Sequence, residues 1–202
     1  TFSHCVPTIL HMLLANPLSK VIDLSRWKLI IGGSALSQAQ ARAAMARGID
    51  AFTGYGMSET CPILSLAQLS GAALAASPEE QAALRAKTGI PMPLVDLRVV
   101  DENLAELPRD GCSVGEVVVR SPWLTQGYLH DAEASAGLWQ GGLLHTGDIG
   151  HIDAAGYLQI TDRIKDVIKT GGEWTSSLQI EDVVAQHPAV AEVAVIGVPD
   201  EK

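Results

Sequence analysis

The chain has 202 residues, 47% apolar and 18% charged, a balance that supports a packed core and argues against disorder. Its 14 basic and 23 acidic side chains give a formal net charge of −9 with no Lys/Arg run, which argues against a non-specific nucleic-acid footprint. No apolar stretch reaches the ~20 residues needed to span a bilayer, and the three cysteines (Cys5, Cys61, Cys112) are too scattered for a disulfide framework or a CxxC metal site, so a reducing cytoplasm is the expected location.

In chain order, the sequence opens at Thr1 to Cys5 without a basic-then-apolar leader and runs directly into a helical pattern. It stops just after a strand-like run, so it is expected to be a piece of a longer protein. Residues 7–14 place Ile9, Leu10, Leu13 and Leu14 at helical spacing, with Pro7 tolerated in the first turn. Leu29-Ile30-Ile31 running into Gly32-Gly33 predicts a buried strand entering a tight turn. Residues 37–47, rich in Ala, Gln and Arg, predict a helix closed by Gly48, and residues 51–55 a second strand. Strand, helix and strand in that order describe an α/β unit with a parallel sheet.

Beyond residue 65 the pattern changes. After an Ala-rich linker (71–76) come a helix over 78–87 capped by Ser77, strands over 94–100 and 115–120, and a hairpin over 149–160 around Asp153-Ala154-Ala155-Gly156. This reads as a compact β-rich subdomain. A third region opens at Asp162, with a strand at 167–169, a Gly171-Gly172 turn, a helix over 178–187 and a strand over 190–196.

Three clusters carry chemistry. In Gly54-Tyr55-Gly56-Met57-Ser58-Glu59-Thr60, glycines around a tyrosine at a strand end let a ligand approach the backbone while the ring offers a stacking face. A hydroxyl followed by a carboxylate suits a phosphate-bound Mg²⁺. The same spacing also fits an ordinary glycine turn with a surface Glu. A nucleophile elbow is not met, because Gly56-x-Ser58 is followed by Thr60 and Gly32-x-Ser34 by Leu36. In His145-Thr146-Gly147-Asp148, the aspartate could accept from a ribose diol or close an Asx turn. Asp162-Arg163-Ile164-Lys165-Asp166-Val167-Ile168-Lys169, followed by Thr170-Gly171-Gly172-Glu173, reads either as a solvated edge strand and turn or as an anion-holding arginine before a mobile glycine gate. No P-loop or H-E-x-x-H occurs, the six histidines lack ligand spacing, and Ser176-x-x-Gln179 is a capping-box signal.

Taken in order, Gly32-Gly33-Ser34-Ala35-Leu36 and the three clusters above resemble the adenylate-forming superfamily of acyl-CoA synthetases, luciferases and nonribosomal adenylation domains. Gly171-Gly172-Glu173-Trp174 with Ser176-Ser177 is most similar to the medium-chain fatty-acyl-CoA ligases, with Thr175 where that subgroup usually has Ile. The resemblance implies an α/β fold. Residues 1–161 would be the back half of a large AMP-binding domain, with the α/β unit at 1–65 and the β-rich subdomain at 66–161. Residues 162–202 would be the hinge and truncated start of a small α/β C-terminal domain.

The resemblance further implies ATP and AMP binding, Mg²⁺, and coenzyme A as co-substrate of an acid-thiol ligase for a fatty acid. Tyr55, within the nucleotide-binding run Gly54 to Ser58 that includes Gly56 and Met57, would stack on adenine. Glu59 would be catalytic and ligate Mg²⁺, with Ser58 as its hydroxyl neighbour. Gly32, Gly33, Ser34 and Ala35 would line the adenylate and acyl pocket. Asp148 would accept from the ribose hydroxyls, Arg163 would hold ribose and phosphate, and Lys165 would be the hinge. Catalytic Lys169 and Gly171-Gly172 would face the site during thioester formation. The phosphate loop and the lysine serving adenylation are expected upstream of Thr1 and downstream of Lys202, so the chain alone is expected to be inactive. Alternative readings are a ligase loading a carrier protein and a non-catalytic nucleotide-binding module.

Overall fold

A computed structural model describes residues 1–165, 167–170, 173–185, 187, 189, 190 and 193–198. The first sheet has the order β1 (Phe2–Cys5), β2 (Lys28–Ile31), β3 (Asp50–Gly56), β4 (Ile63–Leu66), β5 (Ile90–Pro91). The first three strands are parallel and the last two antiparallel to their neighbours. Helices α1 (Pro7–Ala15) and α2 (Gln38–Met45) make the crossovers, and α3 (Pro78–Ala86) packs against α2 and β3. The strand-helix-strand unit expected from 29–55 is present, preceded by a further strand and helix.

Local chemistry explains these boundaries. Pro7 starts α1, Ser37 Oγ caps α2 by accepting from the Gln40 N–H at 3.2 Å, and Ser77 and Glu80 form a reciprocal capping box on α3. Along β2, Leu29 and Ile31 face the helices while Ile30 joins Phe52 and Ala67 on the opposite face. A strand buried on both faces reads as a continuous apolar run rather than an alternation. Each such side chain contributes ~1.5–3 kcal/mol of burial.

The second sheet is antiparallel, in the order β10 (Leu158–Arg163), β9 (Leu143–Ile152), β7 (Gly115–Arg120), β6 (Asp96–Val100), with β8 (Trp139–Gln140) on β9 and α4 (Ala132–Leu138) leading into β8. Its core is built on Leu97, Val99, Val117, Val119, Leu144 and Leu158, and Leu64 of β4 and Tyr55 of β3 pack into it. The sheets are also joined through the backbone, where the Thr88 N–H donates to the Leu158 carbonyl at 3.0 Å and the Leu158 N–H to the Gly89 carbonyl at 2.8 Å.

A hairpin of β11 (Ile168–Thr170) and β12 (Glu173–Thr175) and a helix α5 (Ser177–Ala185) follow. The strand expected over 190–196 is not formed among the described residues: the Val195 N–H donates to Glu181 Oε1 at 2.8 Å, a side-chain acceptor where a strand would use a neighbouring carbonyl.

Candidate functional site

Parallel strands β1 to β3 point their carboxyl ends to one edge of the sheet, the edge where open α/β sheets bind ligands. The exposed loop 32–35, carrying Gly33, Ser34 and Ala35, leaves β2 at this edge, and residues 54–60 leave β3 beside it. The backbone there is tightly folded. A Cβ on Gly56 would sit 1.6 Å from the Pro62 carbonyl oxygen, so only glycine fits. Buried Thr60 fixes the turn: its Oγ1 accepts from the Met57 N–H at 2.9 Å and faces the Met57 and Pro62 carbonyls at 2.9 and 2.8 Å. Ser58 is exposed at the head of this turn, and Cys61 closes it with φ +54°, its thiol free.

From the second sheet comes Asp148. Tyr55 donates its hydroxyl to Asp148 Oδ2 at 2.6 Å across 93 residues of sequence, and Arg163 Nε stands 3.4 Å from Asp148 Oδ1. The three residues expected to hold adenine, ribose and phosphate are thus joined on one carboxylate. Burial, reinforced by the Asp148 charge, pushes the Tyr55 phenol far above its ordinary range, so it remains a donor at every working pH. Arg163 is 63% exposed and reaches Asp148 from the solvent side.

A second carboxylate fixes the loop beneath Asp148. Glu116 Oε1 accepts from the Gly147 N–H at 3.2 Å, and its Oε2 lies 2.8 Å from His145 Nδ1, which as the partner of a carboxylate carries the proton. The Thr146 hydroxyl donates to the Val117 carbonyl at 2.7 Å and accepts from the Asp148 N–H at 3.1 Å. Gly147, at φ +71°, returns its carbonyl to the Ile164 N–H at 2.9 Å. Bulges interrupt the sheets between Tyr55 and Gly56, between Glu116 and Val118, and between Ile160 and Asp162. Bulges re-aim side chains and are frequent beside active sites.

Glu59 lies in the turn Ser58–Thr60, its Oε1 accepting from the Tyr128 hydroxyl at 2.7 Å. A lone carboxylate fits a magnesium ion that keeps several waters and takes its other ligands from phosphates, and among the described residues no group of three His, Cys, Asp or Glu is gathered to hold a metal. Lys165 is exposed in the turn after β10, and Lys169 falls on β11. The Lys169 side chain and both Gly171 and Gly172 lie outside the described residues.

Tyr128 and Glu116 are residues of the candidate site that sequence reasoning missed, while Thr60 stood in the 54–60 cluster without a role. Gly127-Tyr128 repeats the Gly54-Tyr55 pair and was a usable signal; Glu116 had none, since an acid in an alternating strand reads as a solvent-facing position. An open cavity of about 500 Å³ borders the loop beneath Asp148 on the side of Glu116, Ile149 and Ile164, and its walls also include Asp101 and Glu102; that acidic lining repels phosphate.

Comparison with known proteins gives concordant matches. Residues 1–129 match the family described as AMP-binding enzyme, and 179–202 its C-terminal domain. A long-chain-fatty-acid–CoA ligase of Thermus thermophilus is 42% identical over 87% of this chain and 32% of its own length. A 3-methylmercaptopropionyl-CoA ligase of Ruegeria lacuscaerulensis is 39% identical over 100% of this chain and 38% of its own. The chain therefore spans about a third of the length of these relatives. Among solved structures, the amide bond synthetase McbA of Marinactinospora thermotolerans superposes with a TM-score of 0.84 at 33% identity, over 100% of this chain and 40% of that one. The O-succinylbenzoate coenzyme A synthetase of Bacillus subtilis in complex with ATP and magnesium ion superposes with a TM-score of 0.81 at 27% identity, over 100% and 39%.

Proposed function

The chain belongs to the AMP-binding enzyme family, and from that premise we propose that the whole protein is an ATP-dependent ligase joining a carboxylic acid to coenzyme A. The observation that carries this reading is the meeting of Tyr55, Asp148 and Arg163 on one carboxylate, at the strand edge where the glycine-lined loops open. In the first half-reaction a carboxylate oxygen attacks the α-phosphorus of ATP and pyrophosphate leaves. In the second, the coenzyme A sulfur attacks the acyl carbon, the acyl–phosphate C–O bond breaks and AMP leaves.

Each residue has a role in this reading. Tyr55 provides the face on which adenine stacks. Asp148, held by Thr146 and by the Glu116-clamped loop, accepts from the ribose hydroxyls, and Arg163 swings from Asp148 to the phosphate. The run 54–58 and the loop 32–35 let nucleotide and acid approach the backbone. Glu59 would hold Mg²⁺, which when bound supplies charge neutralisation at the phosphates. Lys165 acts as the hinge, Lys169 as the catalytic residue that faces the site after rotation, and Gly171 and Gly172 line the coenzyme A side.

The acid is proposed to be a medium-chain or similarly sized fatty acid, supported by the fatty-acid and short thioether-acid names of the relatives. The likeness to an amide bond synthetase favours one second reading, in which the acyl-adenylate passes to an acceptor other than coenzyme A. The test is pyrophosphate release by the full-length protein with ATP, Mg²⁺ and a panel of carboxylic acids, with and without coenzyme A and with the 202-residue chain as control. Acid-dependent release that turns over repeatedly only with coenzyme A establishes the ligase. Release limited to one turnover favours the other acceptor, and nucleotide binding without release overturns both.

A further inference from the structure

We propose that Tyr128 is a positioning residue that sets the Glu59 carboxylate for its metal ion, an inference that rests on the reading of Glu59 as a magnesium ligand. The Tyr128 hydroxyl donates to Glu59 Oε1 at 2.7 Å across 69 residues of sequence, and the Thr125 N–H donates to the Glu59 carbonyl at 2.9 Å. One loop of the second sheet therefore grips Glu59 by side chain and main chain together. The loop is itself braced. Trp139 Nε1 donates to the Thr125 carbonyl at 3.1 Å, the Tyr128 N–H to Ser135 Oγ at 2.8 Å, and Asp131 Oδ1 caps α4 through the Ala134 N–H at 2.9 Å.

Burial does not require the contact between the two side chains. Tyr128 is 41% exposed, and water would satisfy its hydroxyl as well, while fixing both side chains costs rotamer entropy. The gain falls on the carboxylate. Mg²⁺ demands near-octahedral geometry, and a glutamate with three free torsions must otherwise be ordered when the ion arrives. With Oε1 tied to a hydroxyl, the carboxyl plane is set before the ion arrives.

The test uses the full-length protein with Mn²⁺ as the probe ion. Binding of Mn²⁺ to the protein–ATP complex is read from the free-ion paramagnetic resonance signal, for wild type, Tyr128→Phe, Glu59→Gln and the double variant. ATP binding without metal and thermal melting are measured alongside. The expected result is a loss of Mn²⁺ affinity of about tenfold in Tyr128→Phe, with melting and metal-free ATP binding unchanged and the double variant no weaker than Glu59→Gln. If Glu59→Gln weakens Mn²⁺ binding and Tyr128→Phe does not, or the two losses multiply, positioning is overturned and the metal reading of Glu59 stands. If Glu59→Gln leaves Mn²⁺ binding intact, the metal reading fails and the proposal with it.

Discussion

At the residue scale, Tyr55 combines a ring that packs into the second sheet's core with a hydroxyl bound to Asp148. Tyr55→Phe keeps the ring and removes the bond, leaving one Asp148 oxygen to water or to Arg163. Steady-state kinetics of the whole enzyme should show KM for ATP raised several-fold with kcat nearly unchanged, the pattern of lost uniform binding; a fall in kcat at constant KM would contradict this. Gly56 poses a packing problem instead. A methyl group there meets the backbone of Pro62, which cannot swing aside as a side chain would. Gly56→Ala should cost about 2 kcal/mol or more in urea unfolding. The sequence announced Tyr55, Glu59, Asp148 and Arg163 because glycines or an ordered charge pattern surround each of them. Glu116 stayed hidden and Thr60 had no role assigned because each holds backbone groups of a distant or tightly turned segment, and nothing in a side-chain pattern reports which N–H or carbonyl will lie opposite.

At the element scale, α3 is fastened to β3 by Arg85, 5% exposed, which pairs with Asp50 and donates to the Ala51 carbonyl at 3.2 Å. Burial disfavours the Asp50 charge, but hydrogen bonds and charge from Lys28 and Arg85 outweigh it and hold the carboxyl below its ordinary value. Because the folded pKa is the lower one, this stabilisation is fully present above the unfolded value of about 3.9 and is lost as pH falls through the folded value. Melting curves taken downward from pH 5 should fall less steeply in Asp50→Asn than in wild type; parallel curves would remove Asp50 from the account. Removing the partner outright is worse: Asp50→Ala strands a buried guanidinium and should cost about 3–5 kcal/mol. Elements with a strong internal period, such as α2 and β7, were legible. β1 was not, because Phe2-Ser3-His4-Cys5 has no β-branched residue and owes its strand form to pairing with β2. β4, β5 and β8 are two to four residues long, too short for any period to register.

At the scale of the whole molecule, the segment after the proposed hinge is clasped to β10. Asp162, 3% exposed, accepts from the Ser177 N–H at 2.8 Å and the Ser177 hydroxyl at 2.9 Å, while the Ser176 hydroxyl donates to the Thr161 carbonyl at 2.6 Å. Any rotation about Lys165 must break these bonds. Asp162→Ala should therefore loosen the arrangement, and limited proteolysis should cut between residues 163 and 176 several-fold faster than in wild type, with cleavage elsewhere unchanged. Equal cleavage would mean that the clasp does not hold the segment.

The seam between the two sheets has a consequence for heredity. Tyr55 and Glu59 come from one sheet, Asp148 and Tyr128 from the other, and the chain passes between them through residues 92–95. A recombination crossover at residues 92–95 would leave both sheets intact as folding units, yet join halves of two different sites. Such a hybrid should fold and bind nucleotide poorly, whereas a crossover beyond Arg163 keeps Tyr55, Asp148 and Arg163 together. Libraries that shuffle this architecture should accordingly lose function at the crossovers that look safest from packing alone.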